Sequence, residues 1–432
     1  MIDEAVARSA ATAAVRLGNG VIAEAGVLLK HHFGDRPVRV VCDGNTRKAG
    51  AALFDALDAA GIAHTTHLLP ATPRPKPSVD LGEAIAAEMG EATPVSLGSG
   101  VINDVTKYAA HTLDRPYLCV ATAASMDGYT SAGAPLTRDG FKKTIDCRSP
   151  LVILADLDIV AAAPAQMSGW GYGDLAGKVP AGGDWIIADA LGIEPIDDVA
   201  WPLVQDNLAG WLAAPDKVRA GEPAAIADLF GGLTLAGFAM EFHGTSRPAS
   251  GADHQIAHIW EMESLMHEGE RVSHGACVSL GTLTSLRLLD FVLAQDLSAL
   301  DAEAVLASAP TLDDKKAAIA AAFPPALAER ALQETAAKHA APDVHRARLA
   351  TIAAVWPSLK ARLETHLMRA PMMRGLLERA GAPVEPQDIG ITQARLVATV
   401  RAGRFIRSRY TVLDLLEETG LFDKALDTAL GN

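Results

Sequence analysis

Thr93-Pro94-Val95-Ser96-Leu97-Gly98-Ser99-Gly100-Val101-Ile102-Asn103-Asp104 is the stretch whose reading decides the fold. An apolar run ends at two glycines spaced one residue apart, and a helical pattern begins directly after them. Glycine lets a backbone come close to a phosphate, and the first turn of a helix offers unpaired N–H groups to it. Asn103 stands where a third glycine would complete the dinucleotide fingerprint GxGxxG. A tight strand-to-helix turn without a ligand reads the same way, so the surroundings have to decide.

Upstream, VRVVCDG at 38–44 is an apolar run ending in turn residues, and HTTHLLP around Thr66 is another. Downstream come RPYLCVAT and, from Leu151, LVILADLDIV. Amphipathic helical segments such as TRKAGAALFDALDAAG lie between them. This alternation predicts a parallel sheet with helices on both faces, which binds ligands beyond the C-terminal ends of its strands. From about Ala163 the texture becomes Ala/Leu-rich and helical, divided by Pro310, Pro324, Pro325 and Pro342. The expected architecture is an α/β dinucleotide-binding domain over residues 1–162 and an all-α domain over 163–432.

The 432 residues are 49% hydrophobic and 21% charged, a globular composition, with a net charge of −14 and a pI of about 5.4. No basic stripe stands out, which argues against nucleic acid and anionic membranes as partners. The N-terminus does not read as a secretory leader, and no uninterrupted apolar run is long enough to span a bilayer. Cys42, Cys119, Cys147 and Cys277 are far apart and form no CxxC, against a disulfide framework or a thiolate zinc site. A cytoplasmic location is expected.

A second polar loop, Thr122-Ala123-Ala124-Ser125-Met126-Asp127-Gly128-Tyr129-Thr130-Ser131, follows the next strand. Its hydroxyls are placed to bond a pyrophosphate or ribose, and two such loops at successive strand ends point to one ligand. Five of the 13 histidines fall between His243 and His274. His254 and His258 are four apart and share a helix face. His274 precedes Gly275 at an expected helix start. Two imidazoles and a carboxylate make a common divalent site with open positions. Asp174, in a glycine-flanked stretch read as a loop, is the best carboxylate candidate. His243 and His267 read as ordinary surface or structural residues, and Met262 and Met266 as core spacing.

Together, GSGVINDVTKYAA, TAASMDGYTS, GYGDLAGK, SGADHQIAH and SHGACVSLGT resemble the glycerol-1-phosphate dehydrogenases of the iron-type alcohol dehydrogenase and dehydroquinate synthase superfamily. TAASMDGYTS separates them from the superfamily's general alcohol dehydrogenases, and RSRYTVLDLLEETG is similar to the bacterial branch. The resemblance implies a dehydroquinate synthase-like fold with the active site in the interdomain cleft. It implies that Gly98, Ser99, Gly100, Val101 and Ile102 cradle a cofactor pyrophosphate, with Ser99 replacing a glycine common in the superfamily. Thr122, Ser125 and Ser131 would contact the cofactor further along, and Asp43 or Asn45 the adenosine ribose. Asp174, His254 and His274 would hold the metal. Asp127 and His258 would touch substrate, and its proton would come from metal-bound water or through a relay by His258 or Asp127.

The implied reaction is reduction of dihydroxyacetone phosphate to sn-glycerol-1-phosphate by NADH or NADPH. An acidic residue at 43 would favour NAD if it points at the ribose. Zn²⁺ suits the ligand set best, and Ni²⁺ or Fe²⁺ also fits. Metal-bound carbonyl and hydroxyl groups would be polarised for hydride transfer. Lys142 and Lys143 in DGFKKT are candidate phosphate clamps, and a solvated basic turn accounts for them equally. A homodimer or larger homo-oligomer and a role in phospholipid precursors follow from the resemblance alone. The rival readings are a glycerol-type polyol dehydrogenase, a dehydroquinate synthase-like lyase, where a glutamate is usual at position 174, and a silent metal- or nucleotide-binding protein.

Overall fold

The computed structural model describes residues 1–138 and 141–431, with the side chains of 141–143 outside the description. Among the described residues up to 156, eight strands form: β1 (Ala14–Gly18), β2 (Val38–Asp43), β3 (His64–Leu69), β4 (Thr93–Gly98), β5 (Leu118–Ala121), β6 (Ala134–Arg138), β7 (Phe141–Ile145) and β8 (Val152–Asp156). Six of them make one all-parallel sheet in the order β1-β8-β5-β4-β2-β3, and β6 and β7 make a separate antiparallel hairpin.

Strand alternation sends successive side chains to opposite faces, and both faces of this sheet are covered. Val40 and Cys42 of β2 join Val95 and Leu97 of β4 in one core, while Val41 joins Val105 and Tyr108 in another. On β5 and β8, Cys119, Ala121, Ile153 and Ala155 instead enter the large core of the helical half. The two halves therefore share one continuous apolar interior. Each fully buried aliphatic side chain in it contributes about 1.5–3 kcal/mol.

The expected α/β arrangement followed by helices is the observed one, and all five apolar runs read from the sequence are strands of the parallel sheet. Three features differ. β1 and the β6–β7 hairpin were not expected, and the second half contains a two-residue hairpin, Met266–His267 with Glu270–Arg271. Met266 sits on it and is 51% exposed, so its helical spacing from Met262 has no counterpart in the core.

The helices that matter for the site are α1 (Gly100–Thr112), α2 (Ala165–Ala176), α3 (Lys178–Ala190), α4 (Pro223–His243), α5 (Ala252–Met262) and α6 (His274–Leu293). α4 and α6 are long and apolar enough to cross a membrane by length and composition, but 67% and 89% of their most apolar windows are buried inside the protein. The separate helices Leu312–Ala322, Pro325–Lys338 and Pro342–His366 follow the proline punctuation. The four cysteines are buried and form no disulfide.

Candidate active site

The glycines of the histidine segment explain how three helices meet. A Cβ on Gly275 would lie 2.1 Å from the Trp170 carbonyl oxygen of α2, and one on Gly281 2.3 Å from the Asp253 carbonyl oxygen of α5. α6 can therefore touch both neighbours backbone to backbone, and His274, His254 and Asp174 come together at the crossing. Asp174 lies within α2, not in the loop expected from its flanking glycines, and is fully buried. Those glycines serve close helix packing.

His254 Nε2 lies 3.6 Å and His274 Nε2 4.0 Å from the same Asp174 oxygen, Oδ1. The ligand atoms of all three lie within 4.8 Å of one another. Four-coordinate Zn²⁺ with bonds of about 2.0–2.2 Å needs donors roughly 3.4 Å apart, so the set fits a divalent cation. Behind the donors stand further carboxylates. His254 Nδ1 is 2.5 Å from Asp253 Oδ2, His274 Nδ1 is 2.8 Å from Glu261 Oε1, and His258 Nδ1 is 2.6 Å from Glu261 Oε2. A carboxylate on Nδ1 fixes the tautomer that presents Nε2 to a metal. Burial works against a charged His254, but Asp253 and Asp174 prevail and raise it to about 9.

Lys178, at the start of α3, is fully buried with Nζ 2.6 Å from both Asp127 Oδ2 and Asp174 Oδ1. Burial opposes its charge, yet the two carboxylates hold its pKa above the usual lysine value. Burial would likewise raise the Asp174 pKa, and Lys178 with the histidines drives it well below the carboxylate range. The carboxylate is thus ready as an anionic ligand. Its other oxygen, Oδ2, accepts the Asp127 N–H at 3.0 Å, tying the loop after β5 to this carboxylate.

A cleft of about 880 Å³ joins these residues to the sheet. Ser99, Gly100, Val101, Ser125, Asp127, Ser131, His254, His258 and His274 line it. α1 starts at Ser99 without a side-chain cap, leaving its first-turn amides for a ligand. That matches the needs of a pyrophosphate. Gly98, Ile102 and Thr122 lie behind this surface. A Cβ on Gly98 would meet Ile102 at 2.6 Å, and the Thr122 N–H bonds the Gly98 carbonyl at 3.2 Å. Asn103 points inward and accepts from the Tyr117 hydroxyl at 3.0 Å. Asp43 caps the helix Gly44–Ala49, its Oδ1 accepting from the Asn45 and Thr46 amides at 2.8 Å each. Lys142 and Lys143, the candidate phosphate clamps, have side chains outside the described residues. His243 contacts Glu194 and Asp197 away from the cleft, and His267 packs against Gly390.

The family described as iron-containing alcohol dehydrogenase matches residues 16–164. Curated glycerol-1-phosphate dehydrogenases [NAD(P)+] match more of the chain. That of Geobacillus stearothermophilus is 32% identical over 273 residues, covering 62% of this chain and 67% of the relative. The chain belongs to the glycerol-1-phosphate dehydrogenase family. The relative from Bacillus velezensis is 36% identical over 55% of this chain, and the match spans 62% of the relative's length. Among solved structures, a probable glycerol dehydrogenase from Sinorhizobium meliloti aligns with a TM-score of 0.59 at 18% identity, over 96% of this chain and 97% of its own. The glycerol dehydrogenase of Schizosaccharomyces pombe aligns at 0.58 and 16%, over 96% and 90%. These two likenesses establish the shared fold.

Several residues in and around this cleft escaped the sequence reading, three of them although a signal was present. Lys178 ends the motif GYGDLAGK, four residues from Asp174, which puts it on the same side. Asp253 is adjacent to His254, and Glu261 is three residues from His258. Lys107, fully buried, donates to the carbonyls of Gly128, Ser131 and Gly133 at 2.8, 2.9 and 3.1 Å. It holds the loop after β5 from below. Arg247, also fully buried, donates to the carbonyls of Tyr410 and Asp184 at 3.0 Å each and joins the RSRY segment to α3.

Proposed function

We propose that this chain reduces dihydroxyacetone phosphate to sn-glycerol-1-phosphate with NADH or NADPH, as a metal-dependent oxidoreductase. The observation that carries this is the convergence of Asp174, His254 and His274 with the uncapped start of α1 in one cleft. The relatives from Bacillus velezensis and Geobacillus stearothermophilus, named glycerol-1-phosphate dehydrogenase [NAD(P)+], support the substrate. Residues 1–162 would hold the cofactor and residues 163–432 the metal and substrate. Zn²⁺ is the expected ion, with Ni²⁺ or Fe²⁺ as alternatives. When bound, the cation would supply Lewis acidity to the carbonyl oxygen and the reduced nicotinamide the hydride.

The protein's own residues do the rest. Asp253 and Glu261 orient the two ligand imidazoles, and Lys178 keeps Asp127 and Asp174 paired. Glu261 fixes His258 through Nδ1, so a proton delivered to the product oxygen would leave from Nε2. The Asp127 carboxylate, anchored on Lys178, orients the substrate hydroxyl.

The test is a spectrophotometric assay with dihydroxyacetone phosphate and with glycerol, both nicotinamides and a Zn²⁺, Ni²⁺ and Fe²⁺ series, with chiral analysis of the product. Oxidation of NADH or NADPH with dihydroxyacetone phosphate and formation of the sn-1 isomer are expected. A preference for glycerol would favour a polyol dehydrogenase, and turnover without net cofactor change a lyase.

A further inference from the structure

We propose that Arg407 and Arg409 seat the phosphate of the substrate at the end of the cleft beside α5; this rests on the proposed reduction of a phosphorylated ketone. Both residues, with Ser408 between them, line the cleft that holds the metal cluster. Arg409 donates through Nη1 to the Ser250 carbonyl at 2.6 Å and through Nη2 to the Ser246 hydroxyl at 3.0 Å. Its own carbonyl accepts from Gln255 Nε2 at 3.4 Å. Ser250 and Gln255 bracket the first turn of α5, which carries His254. The guanidinium is thereby fixed to the residue four positions before His254.

Neither arginine is neutralised by contact. The partners of Arg409 are a carbonyl and a hydroxyl, both uncharged. Among the described residues, no carboxylate lies within ion-pair distance of Arg407. Its nearest acidic influence, Glu334, already pairs with Arg330 at 2.9 Å and accepts the Ser408 N–H at 2.9 Å. Burial lowers the pKa of both guanidiniums; at Arg409 the neighbouring Arg247 and Arg407 add to the lowering, Glu194 and Asp253 oppose it without contact, and it falls to about 9. Two like charges with no contacting counter-ion, in a chain of net charge −14, favour an anion between them. A phosphate monoester offers several terminal oxygens and nearly two negative charges, which planar guanidinium forks match in pairs.

Of the other arginines of the cleft, Arg74 and Arg148 are paired with carboxylates, while Arg271, like Arg409, has an uncharged partner. Arg74 contacts Glu270 at 3.3 Å and lies over Trp170, Arg271 donates to the Arg74 carbonyl at 3.1 Å, and Arg148 pairs with Asp114.

The test compares Arg407→Gln, Arg409→Lys and Lys142→Gln with the wild type, all as full-length Zn²⁺-loaded protein. Steady-state kinetics with dihydroxyacetone phosphate and dihydroxyacetone give the preference for the phosphorylated ketone as a ratio of kcat/KM values. Arg407→Gln and Arg409→Lys should each lower that ratio roughly 10- to 100-fold, mainly through KM. Calorimetric titration with inorganic phosphate should weaken in parallel. Any phosphate held by the metal is common to all four proteins, so the difference reads the arginines. Among the described residues the Arg407 side chain makes no hydrogen bond or ion pair, so its variant keeps the test valid if Arg409→Lys is unstable. Unchanged preference and phosphate affinity in both arginine variants would overturn the assignment, as would a loss confined to Lys142→Gln. A wild type inert toward dihydroxyacetone phosphate would overturn the proposed reaction instead, while the phosphate titration would still report on the two arginines.

Discussion

On the helical wall of the cleft the chemistry belongs to side chains, and each is oriented by another side chain: His254 by Asp253, His274 and His258 by Glu261, Asp174 by Lys178. On the sheet wall it belongs to the backbone: the first-turn amides of α1 and the loop after β5, supported from below by Lys107. A side-chain site fails when one atom is removed. A backbone site fails only when its shape changes. Substitutions on the two walls should therefore separate metal content from cofactor affinity.

The largest effect is expected from His254→Ala or Asp174→Asn. Either removes a donor from a three-residue set and should eliminate stoichiometric metal by elemental analysis. Turnover should fall by about 10³-fold or more, a loss of roughly 4 kcal/mol of transition-state stabilisation. NADH binding by fluorescence titration should persist, because no part of α1 is disturbed. A metal-free His254→Ala protein with full activity would remove the basis of the proposed mechanism.

Next come the carboxylates behind the imidazoles. Asp253→Asn and Glu261→Gln should each weaken metal binding roughly 10- to 100-fold, measured by chelator competition. The two should differ in a second respect. Glu261 also holds His258, so only Glu261→Gln should shift the pH profile of kcat once metal is saturating. Identical profiles would separate His258 from the proton step.

Lys107→Met tests the opposite wall. It leaves three carbonyls, that of Gly133 buried and those of Gly128 and Ser131 partly so, without their shared donor, so the loop at 128–133 should relax. A roughly 10-fold rise in KM for the nicotinamide, about 1.4 kcal/mol, is expected together with a lowered Tm. Metal content should stay stoichiometric. Loss of metal in this variant would mean that the walls are coupled through the Asp127 amide on Asp174.

This contrast also explains what was legible in the sequence. β-branched and aliphatic runs buried on both faces announce parallel strands, so β2, β3, β4, β5 and β8 could be read directly. β1, a five-residue edge strand behind an Ala-rich stretch, carries too few apolar residues to stand out. The β6–β7 hairpin is polar enough to read as a turn. The break at Gly50 within TRKAGAALFDALDAAG is set by a distant partner, since a Cβ there would meet Leu97 at 2.5 Å. Histidine clustering exposed His254 and His274 because imidazoles are rare and concentrated. Lys107 and Arg409 were hidden, because a lysine or arginine reads as solvated unless burial is known. Gly98 and Ile102 belong to the recognisable turn, yet they support its shape from behind while Ser99, Gly100 and Val101 face the cleft.

The smallest expected effect settles the adenosine end. Both capping bonds of Asp43 fall on Oδ1, so a ribose hydroxyl can pair with Oδ2 without disturbing the cap. Asp43→Ala removes the cap and should cost about 1 kcal/mol of stability whatever the cofactor does. Asp43→Ser retains a capping hydroxyl and should recover much of that loss. If the carboxylate also meets the ribose, both variants should raise KM for NADH several-fold and leave KM for NADPH unchanged or lower, since a 2′-phosphate is repelled by an acid. Equal behaviour of the two cofactors in Asp43→Ser would confine Asp43 to the cap. Cofactor choice would then rest with another residue near the end of β2, such as Asn45, whose amide bonds the same carboxylate.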